Sequence, residues 1–208
     1  VVVLTTRGRG AIGRALFGSV ADRIARSSPV PVLLVRPESA ERPAERTSFR
    51  RVVVPLDGSP LAEEALPLAM ELAKRWQVPL HLVRVINLAA VLAPLSFYAA
   101  PGVSPRLYDE TIEQVRSEAT EYLTGVAARC TGAGVANVTW VVLDGSPYDT
   151  ISEVTEPSDL LVLTSHGHGG VRRWLLGSVA EKLVREAPAP VLLVPASNRE
   201  QAVPEGSE

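Results

Sequence analysis

Short apolar runs rich in valine and leucine alternate along this chain of 208 residues with longer amphipathic stretches. The short runs predict β-strands, and the longer stretches, which repeat apolar residues at helical spacing, predict α-helices. Regular alternation of strands and helices favours a parallel sheet covered by helices on both faces. Strands are predicted at 51–56, 79–86, 138–143, 160–163 and 191–194, helices at 61–76, 107–130, 148–154 and 177–187, and a connection rich in proline and alanine at 87–106.

The start and the end of the chain repeat one another. Residues 1–35 align without a gap onto residues 160–194, at a constant offset of 159, with identity at roughly half of the positions. Each copy contains an apolar strand, a glycine loop, an amphipathic helix and the strand sequence Pro-Val-Leu-Leu-Val. An ungapped match of this kind indicates duplication.

The repeat divides the chain into unequal parts. Residues 49–196 form a complete unit, residues 1–36 match the C-terminal part of a first unit, residues 37–48 form a polar, proline-containing linker, and residues 197–208 are expected to be a disordered tail. The chain opens at Val1 within a predicted strand and without an initiator methionine, so we expect a fragment of a longer protein. No segment resembles a signal peptide, and we expect a cytoplasmic protein.

Composition excludes several classes of function. A formal net charge of −2 and the absence of a basic run argue against a nucleic-acid or acidic-membrane partner. Cys130 is the single cysteine, so no internal disulfide can form. We expect its side chain to be buried and to pack as a small apolar group. His166 and His168 have no further histidine or cysteine near them in the sequence, so no metal site made of protein ligands is predicted. No nucleophile elbow, Walker lysine or pair of carboxylates specifies catalysis.

Both copies of the repeat carry glycines where a strand passes into a helix. In the second copy Gly167 is followed after nine residues by Gly177 and Ser178, and the first copy has the same spacing from Gly8 to Gly18. At such a place backbone N–H groups and the positive end of a helix dipole can hold phosphate.

Three segments together resemble the universal stress protein family: Val52-Val-Val-Pro-Leu-Asp57-Gly-Ser59, Ser165-His-Gly167-x9-Gly177-Ser178 and Pro190-Val-Leu-Leu-Val194. The resemblance covers residues 50–195 as a whole domain and residues 1–36 as the tail of another. It implies an open α/β fold of five parallel strands in the order 3-2-1-4-5, Rossmann-like and similar to the adenine nucleotide alpha hydrolases, with helices on both faces and a partial second copy.

The ATP-binding branch of that family carries the pattern G-x2-G-x9-G-[ST], and the resemblance implies a nucleotide site where the strand order reverses. The position of Asp57 contacts adenosine in the family, that of Val85 contacts adenine through its backbone, and the glycine loop approaches the phosphates. The predicted site residues are Pro55, Asp57, Ser59, Val85, Thr164, His166, Gly167, Gly177, Ser178 and Val179. The implied ligand is ATP, with AMP and ADP as alternatives and Mg²⁺ carried by the phosphates.

This chain departs from the pattern at one position. Thr164 stands where the pattern has its first glycine, and Thr5 stands there in the other copy. A β-branched residue restricts the backbone and fills space that glycine leaves empty. Besides an ATP-binding protein of stress response or signalling, the sequence therefore leaves open a stress interaction protein of the same fold that binds no nucleotide. A slow ATPase is a further alternative, and no catalytic residue is assigned.

Two other motifs have simpler interpretations. Gly8-x-Gly10-x-x-Gly13 has the form of a dinucleotide fingerprint, but the next strand ends in Arg36-Pro37 rather than in an acidic residue, which argues against a dehydrogenase. Asp144-Gly-Ser-Pro147 duplicates the turn at Asp57 but follows strand 3, far from the strand reversal, and it is interpreted as a helix cap.

The last strand of the complete unit needs a neighbour. Val191–Val194 is apolar throughout and would expose unpaired N–H and C=O groups at the edge of the sheet. In the family, fifth strands pair in antiparallel fashion. We therefore expect Val32–Val35 to pair with Val191–Val194 within the chain, or a homodimer to form through this strand. The first unit lacks its own strand 1 and aspartate, so a single complete nucleotide site is expected.

Overall fold

A computed structural model describes residues 1–5, 19–35, 48–97, 105–165 and 177–196. The first unit contributes β1 (Val2–Thr5), α1 (Ser19–Ser27) and β2 (Val32–Val35). The complete unit contains β3 (Arg51–Pro55), α2 (Pro60–Glu63), α3 (Leu66–Trp76), β4 (Leu80–Ile86), α4 (Leu88–Phe97), α5 (Pro105–Gly132), β5 (Val138–Asp144), α6 (Pro147–Val154), β6 (Asp159–Ser165), α7 (Ser178–Glu186) and β7 (Val191–Pro195).

The strands form one seven-stranded sheet in the order β1-β2-β7-β6-β3-β4-β5. Its last five strands confirm the predicted order 3-2-1-4-5, and they pair in parallel. The strands of the first unit extend this sheet, because β2 pairs antiparallel with β7 through Leu33 and Leu192 at the centre of the contact. The expected pairing within the chain is thus confirmed, and the two units share a single sheet.

Apolar layers cover both faces of the sheet. In β3, Val52 and Val54 pack into a layer beneath α3 and α5, whereas Val53 packs into a second layer with residues of α6 and α7. All three valines are fully buried. This burial on both faces explains why the strands are continuous apolar runs instead of alternating ones.

Two elements differ from the sequence predictions. The helix predicted at 61–76 is divided into α2 and α3, since Pro67 has no N–H for the carbonyl of Glu63 and its ring would collide with that carbonyl in a continuous helix. The prediction of a connection at 87–106 is wrong over its first half, where α4 forms. The side chain of Asn87 accepts a hydrogen bond from the Ala90 N–H at 3.1 Å and caps this helix.

A buried ion pair fixes the edge of the sheet where the parallel strands β3 and β6 begin. Arg51 donates through Nε and Nη2 to the two carboxylate oxygens of Asp159, each at 2.9 Å, and Nη2 also reaches the Val154 carbonyl at 2.7 Å. The Asp159 side chain is 1% exposed and also accepts from the Glu156 N–H. This edge lies away from the carboxyl ends of the strands.

None of the helices in the described part of the chain combines the length and apolarity needed to cross a membrane.

Candidate functional site

A cleft of about 400 Å³ opens at the carboxyl ends of β3, β4 and β6. The strand order reverses between β3 and β6, and open α/β sheets bind ligands at such a reversal. The walls are mostly apolar, with a few polar side chains among them. The lining residues are Pro55, Leu56, Asp57, Ser59, Leu61, Ala62, Val83, Val85, Pro147, Ile151, Leu163, Thr164, Gly177, Ser178, Val179, Ala180 and Leu183.

The structure brings together eight of the ten predicted site residues around this cleft. They come from the end of β3, the end of β4, the end of β6 and the start of α7, which are separated by up to about 120 positions in the sequence. His166 and Gly167 lie outside the described residues.

The turn after β3 holds Asp57 in a defined orientation. Its Oδ1 accepts hydrogen bonds from the Ser59 N–H at 2.9 Å and from the Ser59 hydroxyl at 2.6 Å. The Ser59 hydroxyl oxygen in turn accepts from the Ala62 N–H at 3.1 Å and caps α2, as its position before Pro60 predicts. Gly58 has a φ of +85°, a conformation that favours glycine. Both bonds to Asp57 end on Oδ1, so Oδ2 can accept from a ligand.

The end of β4 presents backbone groups to the cleft. The ladder between β3 and β4 ends where Pro55 pairs with Val83, after which the Leu56 N–H bonds to the Val83 carbonyl at 2.8 Å. Backbone groups alternate sides along a strand, so Val85 directs its N–H and C=O to the same side as Val83. Because β3 has turned away at that level, these groups of Val85 face the cleft.

Thr164 forms the floor of the cleft near the end of β6. Its Oγ1 is buried and has no hydrogen-bond partner among the described residues. Neighbouring Ser165, by contrast, donates its hydroxyl to the Val194 carbonyl at 3.3 Å. A buried hydroxyl without a partner costs stability.

The opposite wall is the N-terminus of α7. Gly177 is the cap residue, and its carbonyl accepts from the Glu181 N–H at 2.8 Å. The N–H groups of the first turn of a helix have no partner within the helix, and the helix dipole makes this end positive. Gly177, Ser178 and Val179 all line the cleft, and the Ser178 side chain is exposed. This wall is suited to an anionic group.

The charge of the cleft is unusual for an anion site. Among its lining residues Asp57 alone is charged, so no cationic side chain belongs to the described wall. Within the described ranges, no group of three or more His, Cys, Asp or Glu side chains could hold a metal ion. Backbone N–H groups therefore provide the positive potential of the described wall.

Helix α6 contributes to the cleft, which was not expected from the sequence. Pro147 and Ile151 line the cleft, although the motif at Asp144-Gly-Ser-Pro147 was interpreted as a helix cap. Ser146 does occupy the cap position, but its side chain makes no capping hydrogen bond. Tyr148 Oη donates to Glu186 Oε2 at 3.0 Å and holds α6 against α7, which brings this helix over the cleft. The second occurrence of the Asp-Gly-Ser-Pro sequence, at the start of α6, could have indicated that this helix belongs to the site.

A model of the universal stress protein family matches residues 1–36 and 48–195 of the chain. The chain belongs to the universal stress protein family. This match confirms the resemblance that the sequence motifs indicate and the α/β fold that it implies.

Two universal stress proteins of Mycobacterium tuberculosis are among the similar relatives. One is 31% identical over 193 residues, which cover 93% of this chain and 61% of the relative, and the other is 34% identical over 197 residues, which cover 93% and 58%. The chain thus spans about three-fifths of the length of these curated relatives. The crystal structure of a universal stress protein from Archaeoglobus fulgidus shares the fold with a TM-score of 0.62 at 22% identity, covering 94% of this chain and 62% of that one.

Proposed function

We propose that this universal stress protein binds an adenine nucleotide, ATP in the first place, in the cleft between β3, β4, β6 and α7, and that binding serves a stress response in the cytoplasm. One observation carries the proposal. Segments separated by up to about 120 residues, which the sequence motifs and the family resemblance indicate, line a single cleft at the strand reversal. Its volume of about 400 Å³ lies within the usual range for small-ligand sites.

The deeper, apolar part of the cleft suits the adenosine moiety. Val83, Ile151 and Leu163 offer apolar contact area for the faces of a base. The backbone N–H and C=O of Val85 can pair with the donor and acceptor atoms on the edge of adenine. Oδ2 of Asp57 can accept hydrogen bonds from ribose hydroxyl groups, because Ser59 holds the carboxylate by its other oxygen.

The glycine-containing wall suits the phosphates. N–H groups at the start of α7 and the exposed hydroxyl of Ser178 can donate to phosphate oxygens. AMP and ADP would fit the same adenosine contacts, with fewer contacts to α7. Mg²⁺ bound with the nucleotide would neutralise part of the phosphate charge. The residues present fit an ion carried by the phosphates and its own water molecules.

Binding and its dependence on Asp57 test the proposal. Purified protein is denatured and the supernatant is chromatographed for released adenine nucleotide, and ATP is then titrated calorimetrically into the wild type, Asp57→Ala and Asp144→Ala. Asp144 is the matched control, since it occupies the same Asp-Gly-Ser-Pro motif, is exposed, and pairs with Arg116 outside the cleft. We expect Asp57→Ala to weaken binding at least tenfold, about the effect of one hydrogen bond to a charged group, and Asp144→Ala to bind normally. A wild type with no released nucleotide and no heat at millimolar ATP would exclude the function.

A second candidate is an interaction protein of the same fold that binds no nucleotide. Thr164 favours it, because its β-branched side chain occupies the cleft where the family pattern has glycine. The same titration separates the two candidates. Release of phosphate over hours, abolished by Asp57→Ala, would instead support the slow ATPase.

A further inference from the structure

Arg84 lies behind the Asp57 turn, on the face of the sheet that α3 and α5 cover. It stands in β4 between Val83 and Val85, which both line the cleft. Successive side chains of a strand point to opposite faces, so the Arg84 side chain is directed toward α5. Arg84 is not among the described residues that line the cleft.

The guanidinium of Arg84 packs against the bend of that turn. Its Nη1 donates to the Leu56 carbonyl at 3.3 Å. A Cβ atom added at Gly58 would lie 3.4 Å from Nη1, 3.5 Å from Nη2 and 3.6 Å from Cζ, so the side chain fills the space directly behind the glycine. The Arg84 guanidinium therefore contacts the backbone on both sides of Asp57, at Leu56 and at Gly58.

The charge of Arg84 has no carboxylate partner in the described part of the chain. Glu63, the acidic residue of α2, forms an ion pair with Arg129, with 2.6 Å between Glu63 Oε2 and Arg129 Nη2. Nε of Arg84 is buried and makes no hydrogen bond to a described residue. Burial, assisted by Glu63, also raises the pKa of the nearby Tyr122 phenol, so this hydroxyl stays neutral and offers no charge to Arg84. A partly buried guanidinium with an unpaired Nε costs stability, so the contact with the turn needs a further reason.

We propose that Arg84 is a positioning residue of the nucleotide site. It holds the Leu56 carbonyl and supports the Gly58 bend, and it thereby fixes the direction in which Asp57 presents its carboxylate to the cleft. This inference rests on the proposed function for its ligand, although the positioning of the turn can be measured without one.

Binding in a double-mutant cycle tests the link to Asp57. Arg84→Met keeps much of the apolar stem and removes the guanidinium, Arg84→Lys keeps the charge, and Arg116→Met is the control, since Arg116 pairs with Asp144 at the other Asp-Gly-Ser-Pro turn. We expect Arg84→Met to weaken ATP binding about tenfold, Arg84→Lys to restore most of that loss, and Arg116→Met to have no effect. Combined with Asp57→Ala, Arg84→Met should add less than about twofold.

Amide hydrogen exchange of the ligand-free protein gives an independent readout. The Ser59 N–H bonds to Asp57 and the Ala62 N–H bonds to Ser59, so both should exchange faster in Arg84→Met and not in Arg116→Met. Unchanged exchange at these amides, or an undiminished tenfold effect in the Asp57→Ala background, overturns the inference. If the wild type binds no nucleotide but exchange accelerates as expected, the positioning of the turn stands and the proposed nucleotide function fails.

Discussion

Thr164 offers a test in which stability and binding should change in opposite directions. Its Oγ1 is buried without a partner among the described residues, a situation that costs about 1–3 kcal/mol in a folded protein. Thr164→Val replaces this hydroxyl by a methyl group of nearly the same size. Because no hydrogen bond is lost, we expect the ligand-free variant to be more stable than the wild type by about 1 kcal/mol, which for a chain of this size raises the melting temperature by about 2–4 °C.

The nucleotide complex should respond in the opposite way. If the Thr164 hydroxyl donates to a phosphate oxygen, Thr164→Val loses a hydrogen bond to a charged acceptor, about 1.5–3 kcal/mol, and the dissociation constant for ATP rises by at least about tenfold. Thr164→Ser keeps the hydroxyl and should bind like the wild type. Thr164→Gly restores the family pattern but should lower the stability of the ligand-free protein by about 0.5–1 kcal/mol.

The assay combines thermal unfolding without ligand and calorimetric titration with adenosine, AMP and ATP. A contact with phosphate predicts that Thr164→Val weakens AMP and ATP but leaves adenosine unchanged. The reasoning is refuted if Thr164→Val destabilises the ligand-free protein, which would reveal a hydrogen bond of the hydroxyl in the native state. It is also refuted if ATP binds Thr164→Val and the wild type equally well.

Two further predictions concern the opposite edge of the sheet. Asp159→Asn leaves Arg51 without its counter-charge and should lower the free energy of unfolding by about 2 kcal/mol. This loss is smaller than is usual for a fully buried pair, because the Arg51 side chain is 26% exposed. An unchanged midpoint of unfolding in urea would contradict this. His81 has its pKa lowered from 6.5 by burial and by the charge of Arg51, so the unfolded chain takes up a proton first and stability should fall as the pH drops below 6.5. His81→Asn can keep a hydrogen bond to Thr139 while removing the titration, and its stability between pH 7 and 5 should fall less steeply than that of the wild type; equal slopes would exclude His81 as the cause.

The positions of the strands were accessible from the sequence because each strand is a short apolar run, whereas their order was implied by the resemblance to the universal stress protein family. The apolar edge strand β7 indicated that it needs a neighbour, and the resemblance implied that this neighbour is the equivalent strand β2. The helices were less predictable at their interruptions. A single proline, Pro67, decides the division between α2 and α3, and a single cap, Asn87, starts α4.

The cleft could be predicted only in part. Asp57 and the residues around Gly177 belong to motifs that the sequence displays, and the family resemblance implied Val85 at the end of a strand. The position of Ile151 over the cleft depends on how α6 packs with Leu163 and Leu183, which no local pattern encodes. Arg84 was missed for a different reason, because a charged residue within an apolar strand gives no sign of the loop it supports.

The contact between β2 and β7 gives the molecule a local two-fold axis. Leu33 pairs with Leu192, its own equivalent at the offset of 159, and the flanking pairs Val32 with Leu193 and Leu34 with Val191 exchange under the same rotation. Such a self-complementary contact is the kind that joins identical subunits in a dimer. Here the chain satisfies it internally, so a symmetric dimer of this chain must be built on another surface. The same axis reverses the strands, so the carboxyl ends of β1 and β2 lie at the edge of the sheet opposite to the cleft.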